Sequence, residues 1–163
     1  AQRKGRPFTK KGKGGPANKM AVVSLVERGG SVRTFHVDHA NAENVREIMV
    51  RNIAREAMLY TDESRLYTKT GAEFGGHETV KHSAGEYVRG SVHTNTVEGY
   101  FSIFKRGMKG VYQHCGEKHL HRYLSEFDFR YNHRQISDDE RATAAVKGIT
   151  GRRLTYRRTA QRA

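Results

Sequence analysis

The order of apolar patterning along the chain predicts an α/β fold, a mixed sheet flanked by helices. Three observations carry that prediction. Two β-branched runs, at residues 20–27 and 31–38, are separated by little more than Gly29-Gly30 and read as a β-hairpin. Apolar residues recur at helical spacing over 42–54, 95–106 and 117–133. Between the first two of these helices, a short β-like run at 57–61 ends at Asp62. Strand, strand, helix, strand, helix, helix is an order found in α/β or α+β domains.

Each element has a local reason. Residues 1–19 hold Gly, Pro and Lys at a density that builds no core, so they read as a loop or arm. Asn41 is placed to cap the helix over 42–54, whose Val45, Ile48, Met49 and Ile53 form one stripe. After Asp62, Gly71, Gly75, Gly76 and Gly85 punctuate about thirty residues that read as a long loop with one further short strand near 87–92. The helix at 95–106 buries Val97, Tyr100, Phe101 and Phe104, with Asn95 as its expected N-cap and Glu98 three residues on as a capping-box partner. The helix at 117–133 buries Leu120, Tyr123, Leu124, Phe127 and Tyr131. Ser137 and Glu140 then make a capping box for a last short helix ending near Gly148, with Asp138, Asp139 and Glu140 as favourable first-turn charge. The division is an arm at 1–19, one domain at 20–148 and a tail at 149–163.

Charge is distributed unevenly. The chain has 163 residues and a net charge of +13, yet residues 1–20 carry seven Lys or Arg, residues 147–163 carry six, and neither segment has an acid. The remaining seventeen bases are balanced by seventeen acids. A neutral body with two cationic ends suits a polyanion whose phosphates run along one path. A basic nucleic-acid-binding module without catalysis, an RNA-binding protein included, meets the same description. Neither basic segment has the bulky apolar face of an interfacial helix, and no apolar run approaches a membrane span. The single cysteine, Cys115, excludes a disulfide framework and points to a reducing cytoplasm.

Asp62 at a strand end and Glu98 on a helix, with thirty-five residues between them, are candidate ligands for Mg²⁺ or Mn²⁺ at a phosphodiester. Ser102 and Lys105 share Glu98's helix face, and Lys105-Arg106 is placed to hold a phosphate. The bland alternatives are equally concrete. Glu98 has its capping role, Asp62 can be a turn residue with Glu63 as a competing acid, and the Lys105 face can simply be solvated. A zinc reading of His114, Cys115, His119 and His121 lacks a second cysteine and the right helical spacing. No P-loop, HExxH or G-x-S-x-G pattern is present.

A longer pattern narrows these choices. His93-Thr94-Asn95-Thr96-Val97-Glu98, Phe101, Lys105-Arg106-Gly107, Gly110-Val111-Tyr112, Lys118-His119-Leu120 and the run from Tyr123 through Phe127, Arg130, Tyr131 and Asn132 to Arg134 resemble insertion-sequence transposases of the DDE type, in the ISXO-like branch. Lys19, Val26-Glu27-Arg28-Gly29-Gly30 and Thr61-Asp62-Glu63 extend the resemblance over most of residues 15–135. It implies a ribonuclease-H-like catalytic domain that uses Mg²⁺ (or Mn²⁺) to cut the DNA ends of a mobile element and join them to target DNA. By that resemblance Asp62 is the second catalytic Asp and Glu98 the third acid, with Asn95 as the second candidate for that place. Lys105 would contact element-end DNA, with Arg106, Lys109, His93, Arg130 and Arg134 as further DNA contacts. It also implies a prokaryotic, nucleoid-associated protein and a homo-oligomer on DNA.

The departure from the pattern is at the front. The helix at 42–54 and the hairpin fill the places expected before Asp62, so the strand that would carry the first Asp is not found, and Asp38, directly before the helix, is a poor replacement. The expectation is a fragment whose first catalytic Asp lies upstream, and which is nearly inactive alone.

Overall fold

The computed structural model describes residues 19–152, so most of the arm and tail inferred from composition lies outside the described residues. Strands β1 (Ala21–Val26) and β2 (Val32–Val37) form the expected antiparallel hairpin, with Val23 opposite Phe35 and Val26 opposite Val32. Gly29 supplies the positive φ, 72°, that the turn requires.

Alternation along the strands sends side chains to opposite faces, and both faces are covered. Val23, Leu25 and Val37 meet helix α1 (Ala42–Asn52), strand β3 (Met58–Asp62) and Phe74 in one core, with Val45, Met49 and Leu59 buried there. Met20, Val22, Val26 and Val32 face a second core, built on Tyr100 and Phe104 of α3 (Asn95–Gly107) and Leu120, Leu124 and Phe127 of α4 (Leu120–Asn132). The hairpin is thus a middle layer between helices. At the α3–α4 contact, a Cβ on Gly107 would run into the Phe127 ring, so glycine sets that approach.

Helix α4 does more than bury apolar surface. Asn132 accepts from the Val32 N–H at 2.7 Å and donates to the Val32 carbonyl at 3.0 Å, while Asp128 accepts from the Thr34 N–H at 2.8 Å. These are the backbone groups of β2 that point away from β1, so two side chains one helical turn apart close the outer edge of the hairpin. Asp128 also accepts from Thr34 Oγ1 at 2.7 Å and from the Tyr100 hydroxyl at 2.6 Å. Burial and the Asp128 carboxylate push the Tyr100 phenol well above its ordinary pKa.

Several expectations are corrected. In place of one continuous sheet, the hydrogen-bonded strands make three separate pairs among the described residues. The supposed long loop contains a short helix α2 (Thr68–Gly71) and a strand β4 (Gly76–Val80) that runs parallel to β3. The strand expected near 87–92 is a tight antiparallel turn of two short strands, β5 (Val88–Arg89) and β6 (Val92–His93). Asn95 is the first residue of α3 and not its N-cap; Thr94 takes that position, so the Asn95–Glu98 capping box does not form. Helix α1 ends two residues early, and the first turn expected of the 117–133 helix is a 3₁₀ turn at Glu117–His119. The last helix, α5 (Asp138–Ile149), has its Ser137–Glu140 capping box as expected, and no buried residue.

Candidate functional site

Asp62 is exposed at the carboxyl end of β3, where its carboxylate accepts from the Ser64 N–H at 3.1 Å and tightens the chain's exit from the strand. The strand end is anchored from β4, since Thr61 Oγ1 lies 2.8 Å from His77 Nε2. Burial lowers the His77 pKa, favouring the neutral ring that such a contact uses. Glu63, the next acid, accepts from the Ser83 N–H at 3.0 Å, a bond that holds its carboxyl below the usual range.

Glu98 projects from the first turn of α3 with its side chain about half exposed (53 %). Thr94 Oγ1 donates to its carboxylate at 2.8 Å, and His82 Nε2 lies 3.3 Å from the same oxygen and 3.1 Å from Thr94 Oγ1. The consequence is positional. The single turn His82–Ala84 touches Glu98 through His82 and Glu63 through Ser83, so it ties the end of β3 to the start of α3. Arg28 reinforces the same corner from the hairpin turn. It donates to the carbonyls of Ser91 (2.6 Å) and His93 (3.0 Å) and lies 4.1 Å from the centre of the Tyr60 ring.

The remaining expected site residues fall into two groups. Lys105, Arg106 and Lys109 are exposed, on the last turn of α3 and the π-helical segment Met108–Tyr112 that follows; Lys105 Nζ is 5.9 Å from the Phe101 ring centre. Cations there also complement the helix C-terminus. His93 and Arg134 are engaged within the body, and Arg130 is exposed in an ion pair along its own helix. His93 pairs opposite Val88 and its Nδ1 is buried without a hydrogen-bond partner. Arg130 pairs with Glu126 at 2.9 Å. Arg134 donates to the Gly30 and Tyr131 carbonyls at 3.0 and 2.9 Å and stacks over Tyr131, fastening the end of α4 to the hairpin turn.

Asp62 and Glu98 both present exposed carboxylate oxygens, the hard donors that Mg²⁺ or Mn²⁺ takes. Among the described residues no group of three or more His, Cys, Asp or Glu side chains is arranged to hold a metal ion. The donor set fits such an ion in kind and is short in number. Sequence reasoning missed His82, Thr94 and Arg28 as positioning residues. Thr94 carried a usable signal, as a hydroxyl residue directly before an amphipathic run; a lone histidine in a glycine-rich stretch carried none.

No helix among the described residues is long and apolar enough to cross a membrane. Comparison with known proteins adds what the geometry leaves open. No solved structure matches the chain. Over 128 residues it is 30% identical to an uncharacterized protein in transposable element ISH50 from Halobacterium salinarum, which covers 77% of this chain and 43% of that relative. The chain therefore spans less than half the length of the curated relative it matches. The ISXO2-like transposase domain matches residues 2–132, everything from the segment before the hairpin to the last residue of α4. The chain belongs to the ISXO2-like transposase domain family.

Proposed function

We propose that this chain is catalytic-domain sequence of a DNA transposase, acting in metal-dependent cleavage and strand transfer at the ends of an insertion sequence. The observation that supports this reading, beside family membership, is the His82–Ala84 turn, which touches Glu63, the residue after Asp62, through Ser83 and Glu98 through His82. Asp62 and Glu98 would hold Mg²⁺ or Mn²⁺, which when bound supplies charge neutralisation at the phosphodiester. Thr94 and His82 orient the Glu98 carboxylate. Lys105, Arg106 and Lys109 offer exposed cations to flanking phosphates, and Asn95, beside Thr94 at the helix start, is the second candidate for the third catalytic place.

The unpaired strand edges support a ribonuclease-H-like sheet with one strand to be added. The outer edge of β2 is closed by Asp128 and Asn132. Among the described residues, β1 pairs only with β2 and β3 only with β4. Val23 of β1 and Leu59 of β3 pack in one core with Val45 and Met49 of α1. A strand from outside the described residues that joined β1 to β3 would unite the two pairs and bring a third carboxylate to the end of β3.

The test is cleavage of labelled element-end DNA with Mg²⁺ or Mn²⁺, comparing this chain with the full product of its gene. Cleavage by the full product should fall at least about a hundredfold in Asp62→Asn and in Glu98→Gln, survive in Asn95→Ala, and be nearly absent from the 163-residue chain alone. Cleavage that persists when Asp62→Asn and Glu98→Gln are combined would overturn the assignment. Loss in Asn95→Ala with retention in Glu98→Gln would move the third catalytic role to Asn95.

A further inference from the structure

Helix α5 has no buried residue. It begins six residues beyond the last residue matched by the family domain. Ser137 and Glu140 secure its start with reciprocal bonds, so it does not rely on packing for its first turn. Ala142, Ala145, Val146 and Ile149 follow the i, i+3, i+4, i+7 rule of an apolar stripe. All four are exposed, Val146 at 63% and Ile149 at 66%. The residues of α5 that are partly covered, Arg141 and Ala144, do not belong to this stripe.

We infer that α5 is a self-association helix, pairing antiparallel with α5 of a second copy. Two features select that occupant. First, charge: Asp139 and Glu140 lie in the first turn, Asp138 there is already paired with Arg141 of its own helix at 2.7 Å, and Arg152 lies just beyond the last turn, where the reversed stripe brings it opposite Asp139 of the second copy. An antiparallel arrangement lays the acidic end of each helix beside the basic end of the other and opposes their dipoles favourably. A parallel arrangement stacks like on like. Second, register: reversing the stripe about its midpoint carries Ala142 onto Ile149 and Ala145 onto Val146, so each small residue faces a large one. That alternation lets two helices approach and interdigitate, and the patch is self-complementary as a two-fold interface requires. Nucleic acid is a poor occupant, because the stripe is apolar and the helix start is acidic.

The contact is small. Two helices of 12 residues, each about 18 Å long, bury less than a standard stable interface. The pair is therefore weak and concentration-dependent in free solution, and it strengthens when two copies are held close together on one larger object. This inference is independent of the catalytic reading, because it holds whether or not the chain cuts DNA.

Sedimentation equilibrium on the 163-residue chain tests it. The expected result is a reversible monomer–dimer equilibrium, weakened at least about tenfold by Val146→Asp and retained in Val146→Leu. Because no α5 residue is buried, the thermal melt of Val146→Asp should match the wild type, which separates lost association from lost folding. Direction is tested by charge exchange. Asp139→Lys should weaken the dimer, Arg152→Glu should weaken it, and the two together should restore it. A chain that stays monomeric at every concentration, or a dimer indifferent to Val146→Asp, overturns the inference; failure of the double exchange to restore association overturns the antiparallel arrangement.

Discussion

The two faces of the β1–β2 hairpin are held by different means. On the α3–α4 face, aromatic rings interlock, Phe104 against Phe127 with centres 5.0 Å apart and Tyr100 against Tyr131 at 5.6 Å, and Asp128 and Asn132 pin the strand backbone from the helix. On the α1 face the core is smaller and mostly aliphatic, and its charged pins lie at the surface: Glu73 bridges Arg46 at 2.5 Å and Arg55 at 3.1 Å. Glu98 rides on the first face and Asp62 on the second. The two acids therefore rest on separate cores, with the hairpin as a shared wall. Their relative placement depends on the weaker of the two, and the α1 face is where it is most easily disturbed.

The largest effect should come from cutting into the aromatic face. Leu124 is 1% exposed among rings that cannot close over a gap, so Leu124→Ala should cost about 4 kcal/mol. Met49→Ala, on the opposite face among aliphatic neighbours that can shift, should cost about 2–3 kcal/mol. Denaturant titration of both measures the difference, and equal costs would erase the contrast between the two cores.

Next comes the polar pin. Asp128→Ala leaves the Thr34 N–H and the Tyr100 hydroxyl without their acceptor, at a cost of about 2–4 kcal/mol. Adding Tyr100→Phe removes one of the stranded donors, so the double variant should be less destabilised than the sum of the two single changes. Strict additivity in that cycle would show that the pin is not a unit.

The smallest effect belongs to the surface pins, and it depends on pH. Arg46 and Arg55 hold the Glu73 carboxyl down at about 2, from an ordinary 4.5. A depressed folded-state pKa contributes stability above the unfolded value, so the contribution is complete above about pH 4.5 and is lost as pH falls toward 2. Because Glu73 is solvent-screened, the gain is modest. Thermal melts of wild type and Glu73→Gln should differ at neutral pH and converge as the acid titrates. A gap that persists at low pH would assign Glu73 a packing role instead.

How much of this was legible in the sequence follows the range of the interactions. The hairpin, α1, α4 and the capped start of α5 rest on local signals: a glycine turn, apolar periods of two or 3.6, and hydroxyl caps. Strand β4 rests on a parallel pairing with β3 across the intervening α2, and of its five residues only Val80 is buried, so its pattern was too thin to separate from loop. Helix α3 starts at Asn95 as expected, and only its N-cap differs, lying at Thr94 because Thr94 and Asn95 are both good capping types in the local string. At the site, Asp62 and Glu98 were visible as carboxylates at element ends. Their support by Ser64, Thr94 and His82 depends on side-chain directions that a single sequence does not carry.

Arg28 has a consequence in time as well as in space. Its bonds to Ser91 and His93 close spans of 63 and 65 residues, and they are made from the turn of a hairpin whose own strands need only a few residues of closure. Contacts across long spans must bear their closure entropy before they return any stability. The hairpin can thus form early, while the β5–β6 turn and the adjoining start of α3 wait for the chain to bring their carbonyls to the guanidinium. The corner that carries Glu98 is then among the later parts of the domain to settle.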